Sequence, residues 1–208
     1  MSGVAIARRP ESSDTAERIL AAAKHALLES GYGALSTRGI ADQAGVPLSQ
    51  IHYHFGSKRQ LVLALLEAEN ERRLARQAAM YAADQPLWKQ WEQACDFLED
   101  DVASGYVRVL QEMTAAGWSD DAVETAVRAY LRGWFRLLTG VTEEFANDVG
   151  GLGPFEPKEV ATLVGVAFLG AETMILLGVS EEEMPNRSAL RKVGALIRAI
   201  EERDGEER

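Results

Sequence analysis

Hydrophobic side chains recur at intervals of three and four along almost the whole chain and rarely alternate with a period of two, which predicts an all-α fold. The first amphipathic stretch follows the capping-box pattern Asp14-x-x-Glu17, which predicts that a helix begins there. The glycine-containing segment 31–33 should end this helix.

Two short helices are predicted next, separated by a glycine. Ser36 can cap the first, which Gly45 ends, and Pro47 suits the first turn of the second, which runs to about Phe55. Two short helices around a glycine have the layout of a helix-turn-helix, but many all-α enzymes contain the same pattern. The layout alone therefore leaves both interpretations open.

A long fourth helix should begin at the capping-box pattern Ser57-x-x-Gln60 and continue to Asp84. The rest of the chain divides at 104–105, 117–121, 150–157 and 184–185 into five more helical stretches. One of them, residues 160–179, is long and apolar enough for a bilayer span, but it contains Glu172 and three glutamates follow it. We expect a helix buried in a core or a subunit interface.

Composition narrows the class of protein. The 208 residues carry a net charge of -10 with 47% hydrophobic residues, as expected for a globular chain. The single Cys95 excludes an internal disulfide, and the N-terminal apolar stretch is too short for a signal peptide, so we expect a cytoplasmic protein. The first 60 residues carry +2 and the other 148 carry -12, so the N-terminal part is free to meet an anion.

The identities of the residues in this N-terminal part are informative. The segment 19–67 closely resembles the DNA-binding domain of the TetR (tetracycline-repressor) family of transcriptional regulators. The resemblance implies a three-helix DNA-binding domain over 1–60 and an effector-binding and dimerisation domain over 61–208. Its matching features, in family order and spacing, are Ile19-Leu20-x-Ala22-Ala23, Gly31-Tyr32, Ser36-Thr37, Ile40-Ala41-x-x-Ala44-Gly45-Val46, His54-Phe55, and Lys58 with Leu61.

The resemblance implies that the third helix enters the major groove of double-stranded DNA, where Gln50 can recognise adenine. Ile51 and Phe55 should instead turn inward and pack on the first helix. The residues expected to contact bases or phosphates are Thr37, Arg38, Leu48, Ser49, Gln50, His52, Tyr53, His54 and Lys58.

Three positions depart from the family pattern. His52 replaces a common tyrosine, Ser49 replaces a common glycine, and Gly39 lies where glutamate is frequent. The first two affect the expected base preference. His52 and His54 are two positions apart, so on a helix they point in nearly opposite directions and cannot chelate one ion. We expect no metal site and no cofactor.

The acidic remainder is rich in aromatic residues, and the resemblance implies a pocket for a small-molecule effector within it. Simple core packing explains each aromatic residue equally well. Glu112 is a further possible polar partner, while the residues expected to bind the effector are Trp88, Trp91, Cys95, Met113, Trp118, Tyr130, Trp134 and Glu172.

The last two helices carry broad apolar faces that predict a homodimer with a four-helix interface. Gly165 and Gly170 should permit close approach of the partner. Burial within one subunit would give the same pattern. The predicted interface residues are Val164, Phe168, Ala171, Ile175, Leu190, Val193 and Ile197.

These features favour a homodimeric transcriptional regulator, a repressor, that a small molecule releases from a pseudo-palindromic operator. The alternative is an all-α small-molecule binding protein or enzyme with a vestigial helix-turn-helix. Because the sequence shows no Ser/His/Asp grouping and no glycine-rich phosphate loop, we do not expect an enzyme. Sequence-independent DNA coating is disfavoured because a charge of +2 offers few phosphate contacts.

Overall fold

In the computed structural model, residues 10–207 form a bundle of helices joined by short turns, which confirms the all-α prediction for this part of the chain. The segment before Pro10, with Arg8 and Arg9 of the N-terminal charge balance, lies outside the described residues. The helices are α1 Pro10–Ala34, α2 Thr37–Ala44, α3 Leu48–Phe55, α4 Lys58–Tyr81, α5 Leu87–Ala103, α6 Tyr106–Gly117, α7 Asp121–Asp148, α8 Pro157–Leu176 and α9 Asn186–Glu207.

Most helix ends lie where capping residues predict them. Ser36 accepts a hydrogen bond from the Gly39 backbone N–H, and Gly45 ends α2 in the left-handed conformation at φ 63°. Helix α1 departs from the prediction, because it begins at Pro10 rather than at the capping-box pattern and continues to Ala34 across a kink at Gly31. Helix α4 ends at Tyr81, three residues before the predicted end.

The first hydrophobic core joins the three N-terminal helices to the larger part of the molecule. Fully buried side chains of α1, α2 and α3 meet the first half of α4. The same cluster continues into α6 and α7, through Tyr106, Met113 and Val123. The division expected at residue 60 falls inside α4, so one helix and one core span it.

A second core lies between α5, α7, α8 and α9. Trp91 packs edge-on against Phe168 with ring centroids 5.5 Å apart, and its indole N–H donates a 2.7 Å hydrogen bond to the Leu190 carbonyl. Each buried aromatic side chain of this kind stabilises the fold by about 1.5 to 3 kcal/mol through the apolar area it removes from water.

This second core contains residues that the sequence assigned to the subunit interface. Phe168, Ala171 and Leu190 are buried within one subunit, and the other four members of that set are partly buried against them. Gly165 is also turned inward, against the Phe135 ring, where a Cβ atom would clash. The periodicity of α8 and α9 fits both locations, and within one subunit these side chains contribute to the second core.

A different face of α8 and α9 is exposed. Leu163, Val166 and Leu196 are 59%, 57% and 65% exposed, and Gly170 has open space beside it. Within the described residues, α8 is the helix long and apolar enough to cross a membrane, a test that core helices of soluble proteins also pass. Apolar residues on two neighbouring helices therefore form an uncovered surface, which we call the α8/α9 face and define by Leu163, Val166, Gly170 and Leu196.

Candidate nucleic-acid interface and ligand cavity

The turn between α2 and α3 is held by an arginine from α1. The Arg18 guanidinium donates hydrogen bonds to the carbonyl oxygens of Ala44, at 2.6 Å, and Gly45, at 3.3 Å. These carbonyls lie at the end of α2, where a positive charge is favourable. Sequence reasoning missed Arg18, because only the folded crossing of α1 over the turn brings it there.

Helix α3 presents opposite faces to the core and to solvent. Ile51 is fully buried, and Phe55 packs against the same core, which holds the helix in place. Ser49 and Tyr53 lie on the outside, and the Tyr53 side chain is 77% exposed. Leu48 packs partly against the core, so part of its side chain is not available to DNA.

The other predicted DNA-contacting residues lie at the start of α2, along α3 and at the first residue of α4. Thr37 begins α2 and is half-buried, while Arg38 beside it is exposed. The Lys58 ammonium lies 5.1 Å from the centre of the Tyr32 ring, so it leans on α1 in this structure. Free N–H groups at a helix N-terminus favour phosphate, which suits the placement of Thr37 and Arg38.

The two α3 histidines have different surroundings. His52 Nδ1 lies 3.0 Å from the Gly56 carbonyl, so this nitrogen carries the hydrogen and donates. In the neutral ring, Nε2 then can only accept, and it donates to a phosphate only when the ring is protonated. The His54 ring is half-buried edge-on against Tyr53, with centroids 5.0 Å apart.

Two contacts tie α6 and the start of α7 to the N-terminal helices. Glu112 on α6 accepts a 3.2 Å hydrogen bond from the Tyr32 backbone N–H, beside the kink at Gly31. Arg59 on α4 lies 3.5 Å from the Asp120 carboxylate. Glu112 therefore serves the α1 kink in this structure and does not face a ligand cavity, contrary to the role the sequence left open for it.

A small central cavity of about 30 Å³ lies between α4, α5, α6, α7 and α8. Glu172 lines it with Oε2 buried and without a hydrogen-bond partner, although Gln111 bonds the carboxyl group. Burial raises the pKa of Glu172 to about 7, against the opposing effect of the positive Arg73. Tyr130 and Trp134, both predicted ligand residues, line the same cavity.

Charged residues that sequence reasoning missed also reach this cavity. Arg73 pairs with Asp101, and its guanidinium lies over the Tyr106 ring, 3.2 Å from the ring centre. Arg76 shares the same carboxylate at 2.6 Å. Desolvation lowers the pKa of Arg73 to about 10. The stretch ENERRLARQ alternates charge as a solvated helix face does, so nothing in its spacing marks Arg73 as buried.

A second, larger cavity of about 410 Å³ lies between α5, α7, α8 and α9. Its wall is mainly aliphatic and aromatic, and Trp91 contributes to it. Tyr81 and Leu138 line both cavities, so these two side chains separate one space from the other.

The remaining predicted ligand residues lie elsewhere. Cys95 is buried in the second core, where desolvation raises its thiol pKa to about 11, and Met113 is buried in the first core. The Arg198 guanidinium lies over the Trp88 ring at 5.0 Å, and Trp118 is 85% exposed. The structure thus brings Tyr130, Trp134 and Glu172 together, with Trp91 at the neighbouring cavity.

The N-terminal helices are similar to a known family of proteins. Residues 19–65 match the family model described as bacterial regulatory proteins, tetR family. No curated protein matches the chain.

Solved structures match nearly the whole chain. A TetR transcription regulator from Haloarcula marismortui is 22% identical, with a TM-score of 0.73, over 89% of this chain and 96% of that one. Bacillus subtilis FadR, in complex with stearoyl-CoA, is 16% identical with a TM-score of 0.69, over 87% and 96%. A transcriptional regulator from Saccharomonospora viridis, in complex with choline, is 17% identical with a TM-score of 0.72, over 88% and 94%. At these identities the likeness shows the fold.

Proposed function

We propose that this chain, whose N-terminal helix-turn-helix belongs to the tetR family of bacterial regulatory proteins, is a ligand-responsive transcriptional repressor that acts in the cytoplasm. It binds a pseudo-palindromic operator as a homodimer, and a small-molecule effector releases it. The proposal is carried by one observation: the outward face of α3 is joined through α4 to a domain that encloses cavities.

Recognition of DNA falls to the outer residues of α2 and α3. Gln50 offers the amide that pairs with adenine, and Tyr53 offers a ring for a thymine methyl group. Thr37, Arg38 and Lys58 supply phosphate contacts, with a phosphate drawing Lys58 away from the Tyr32 ring. The body carries most of the negative charge, so DNA is repelled from the other faces.

The homodimer forms through the α8/α9 face. Its apolar side chains lie in water in the isolated subunit, and a two-fold axis would bury them against the same residues of a second copy. Gly170 leaves room for close helix approach. Two recognition helices would then lie about one DNA turn apart, or a multiple of it.

Coupling between effector and operator runs through α4 and α6. Helix α4 carries Lys58 at its first residue and Arg73 at the central cavity, while α6 carries Tyr106 at the cavity and Glu112 at the α1 kink. A cavity of about 30 Å³ has room for roughly one water molecule, so an effector must widen it. Widening displaces α4 and α6 and favours a spacing of the recognition helices that does not fit the operator.

Two proteins of similar fold were solved in complex with choline and with stearoyl-CoA, which supports a small-molecule ligand for this chain. The two molecules differ in charge and size, so they do not identify the effector.

The decisive experiment is a footprint on the DNA that flanks the gene of this protein, at a stated salt concentration, with and without candidate ligands. We expect a protected sequence with two related half-sites, and loss of protection with the effector. The absence of any sequence-specific protection would refute the regulator function. Matching protection of unrelated DNA at the same protein concentration would instead support non-specific coating.

A further inference from the structure

The central cavity contains a hydrogen-bond acceptor that no residue satisfies. Glu172 Oε2 is buried and without a partner, while Gln111 bonds the carboxyl group. A buried acceptor left unpaired costs free energy, so a donor that reaches it is favoured. The surrounding wall is largely aromatic and contains Phe97, Tyr106, Tyr130, Trp134 and Phe168. Aromatic ring faces attract cations, so the rings other than Tyr106 and Phe97, which arginines already cover, suit a positively charged donor.

Arg73, which lines the same cavity, and its neighbour Arg76 are already engaged. Arg73 and Arg76 share the Asp101 carboxylate, and each guanidinium lies over an aromatic ring, Tyr106 at 3.2 Å and Phe97 at 3.9 Å. The Nε atoms of both arginines are buried without partners. An anionic ligand would have to displace Asp101 or reach these Nε atoms beside the stacked rings. The unpaired oxygen of Glu172 requires no such displacement, and it selects a protonated amine.

The space next to this site is suited to hydrocarbon. The second cavity, beyond Tyr81 and Leu138, measures about 410 Å³. Its Thr142 hydroxyl is satisfied by backbone carbonyls, among them that of Pro157 at 2.9 Å. The aliphatic and aromatic part of its wall is Leu87, Trp91, Val141, Phe145, Leu152, Val160, Val164, Val193, Leu196, Ile197 and Ile200.

We propose that the two cavities receive one amphiphilic amine, with its ammonium group on Glu172 and its hydrocarbon tail past Tyr81 and Leu138 in the second cavity. The inference rests on the proposed function, since it names the chemical class of the effector. Movement of the Tyr81 side chain opens the partition. A site that combines a 30 Å³ and a 410 Å³ space lies within the size range of small-molecule pockets, about 300 to 1,000 Å³.

The proposal is tested by calorimetric titration of the full chain, without DNA, at about pH 8, where Glu172 is largely ionised. The probes are n-octylamine, n-octanol, octanoate and n-butylamine. Octylamine should bind about tenfold or more tightly than octanol, because it adds a charged hydrogen bond. It should bind on the order of 100-fold more tightly than butylamine, because four more methylene groups are buried. Equal or tighter binding of octanoate would overturn the proposal and assign the head group to the arginines.

Two variants separate the two ends of the ligand. Glu172→Gln should reduce the preference for octylamine over octanol to about twofold or less, whereas the exposed Glu182→Gln should keep it. Val141→Trp fills the second cavity and should weaken octylamine nearly to the level of butylamine, with butylamine unchanged. An octylamine affinity that neither variant alters contradicts the proposed site. The comparison of the four ligands on the unmodified protein remains decisive if a variant does not fold.

Failure of this proposal is distinguishable from failure of the proposed function. Titration without DNA tests ligand chemistry alone, and a footprint with and without octylamine tests regulation. Octylamine could bind tightly through Glu172 and yet leave the DNA protected. That result would support the amine as a ligand of this site and contradict the claim that such amines release the protein from DNA. Release of DNA by anionic ligands alone would support the proposed regulator function and overturn the proposal that the ligand is an amine.

Discussion

Glu172 combines burial with ionisation near neutral pH. Its folded pKa of about 7 lies above its ordinary value of 4.5, so the ionised form is less favourable in the folded protein than in the unfolded chain. The charged groups that line the same cavity are Arg73 from α4 and Asp101 from α5, which pair with each other. Tyr106 and Tyr130 stay neutral below about pH 10, because burial raises both phenol pKa values. Glu172 therefore changes charge over a pH range, from about 4.5 to 7, in which both phenols stay neutral.

We predict that Glu172→Gln changes how stability depends on pH. The contribution of Glu172 is most favourable below pH 4.5 and is lost as pH rises to about 7, by roughly 3 kcal/mol in total. Relative to wild type, the variant should therefore gain stability between about pH 5 and pH 8. Urea unfolding at both pH values measures the difference, with Glu182→Gln as the exposed control. Parallel pH profiles for wild type and Glu172→Gln would contradict the raised pKa.

Gln50 and Lys58 should affect DNA binding in different ways. Gln50→Ala should cost about 1 to 3 kcal/mol and relax the preference at one base pair, because an amide reads a base edge. Lys58→Ala should weaken binding to all sequences alike and reduce the salt dependence by about one phosphate contact. Affinities for a set of single-base operator variants at two salt concentrations distinguish them. A uniform loss for Gln50→Ala, or a loss at one base for Lys58→Ala, would reverse the assigned roles.

At the level of helices, we propose that a cavity movement reaches the DNA-binding helices through the contact between α6 and the α1 kink. Glu112→Ala removes the acceptor of the Tyr32 N–H and should destabilise the fold by about 1 to 2 kcal/mol. It should also reduce the factor by which an effector weakens operator binding, because α6 loses its polar contact with the α1 kink. The measurement is operator affinity with and without saturating effector.

Glu124→Ala is the control for this helix contact. Glu124 forms an exposed i,i+4 pair with Arg128 on α7, which contributes only about 0.3 to 0.5 kcal/mol. The control should leave the effector response intact. A full effector response in Glu112→Ala would show that coupling passes elsewhere, for example through α4 alone.

The order of the helices could be predicted from the sequence because the caps and apolar periodicity are local. Ser36, Gly45 and Ser57 act within four residues of themselves, and the structure has them at the predicted ends. The prediction that α1 begins at Asp14 was wrong, because Pro10 is also a residue type that can begin a helix. The roles of Arg18 and Arg73 depend on contacts 26 and 28 residues away along the chain, with Ala44 and Asp101, which no local pattern reveals.

The faces of α8 and α9 show a further limit of sequence reasoning. Both helices are apolar on more than one side, so periodicity predicts burial without saying which partner covers each side. In the structure, Phe168 and Leu190 face the subunit's own core, while Leu163 and Leu196 face outward. The interface residues predicted from the sequence thus lie beside the exposed face through which we propose that a second copy binds.

At the scale of the whole molecule, two surface properties suit two partners. The distribution of charge suits DNA, and the exposed apolar side chains suit a second copy of the chain. The N-terminal 60 residues carry +2 and the rest -12, so DNA is attracted to one end and repelled from the other. The α8/α9 face belongs to the acidic part but is itself apolar. A second copy of this chain would bury that face and place two DNA-binding ends side by side.

We predict that Leu163→Asp with Val166→Asp converts the protein to a monomer, since it puts four carboxylates into the two-fold interface where burial of charge is costly. Sedimentation at micromolar concentration should give a dimer for wild type and a monomer for the variant. Operator affinity should fall by at least about 100-fold, because a monomer loses the effective concentration that links two half-sites. Trp118→Asp, at an exposed aromatic residue away from this face, should remain dimeric. A variant that stays dimeric would place the interface elsewhere, and a wild-type monomer would remove the two-fold operator from the mechanism.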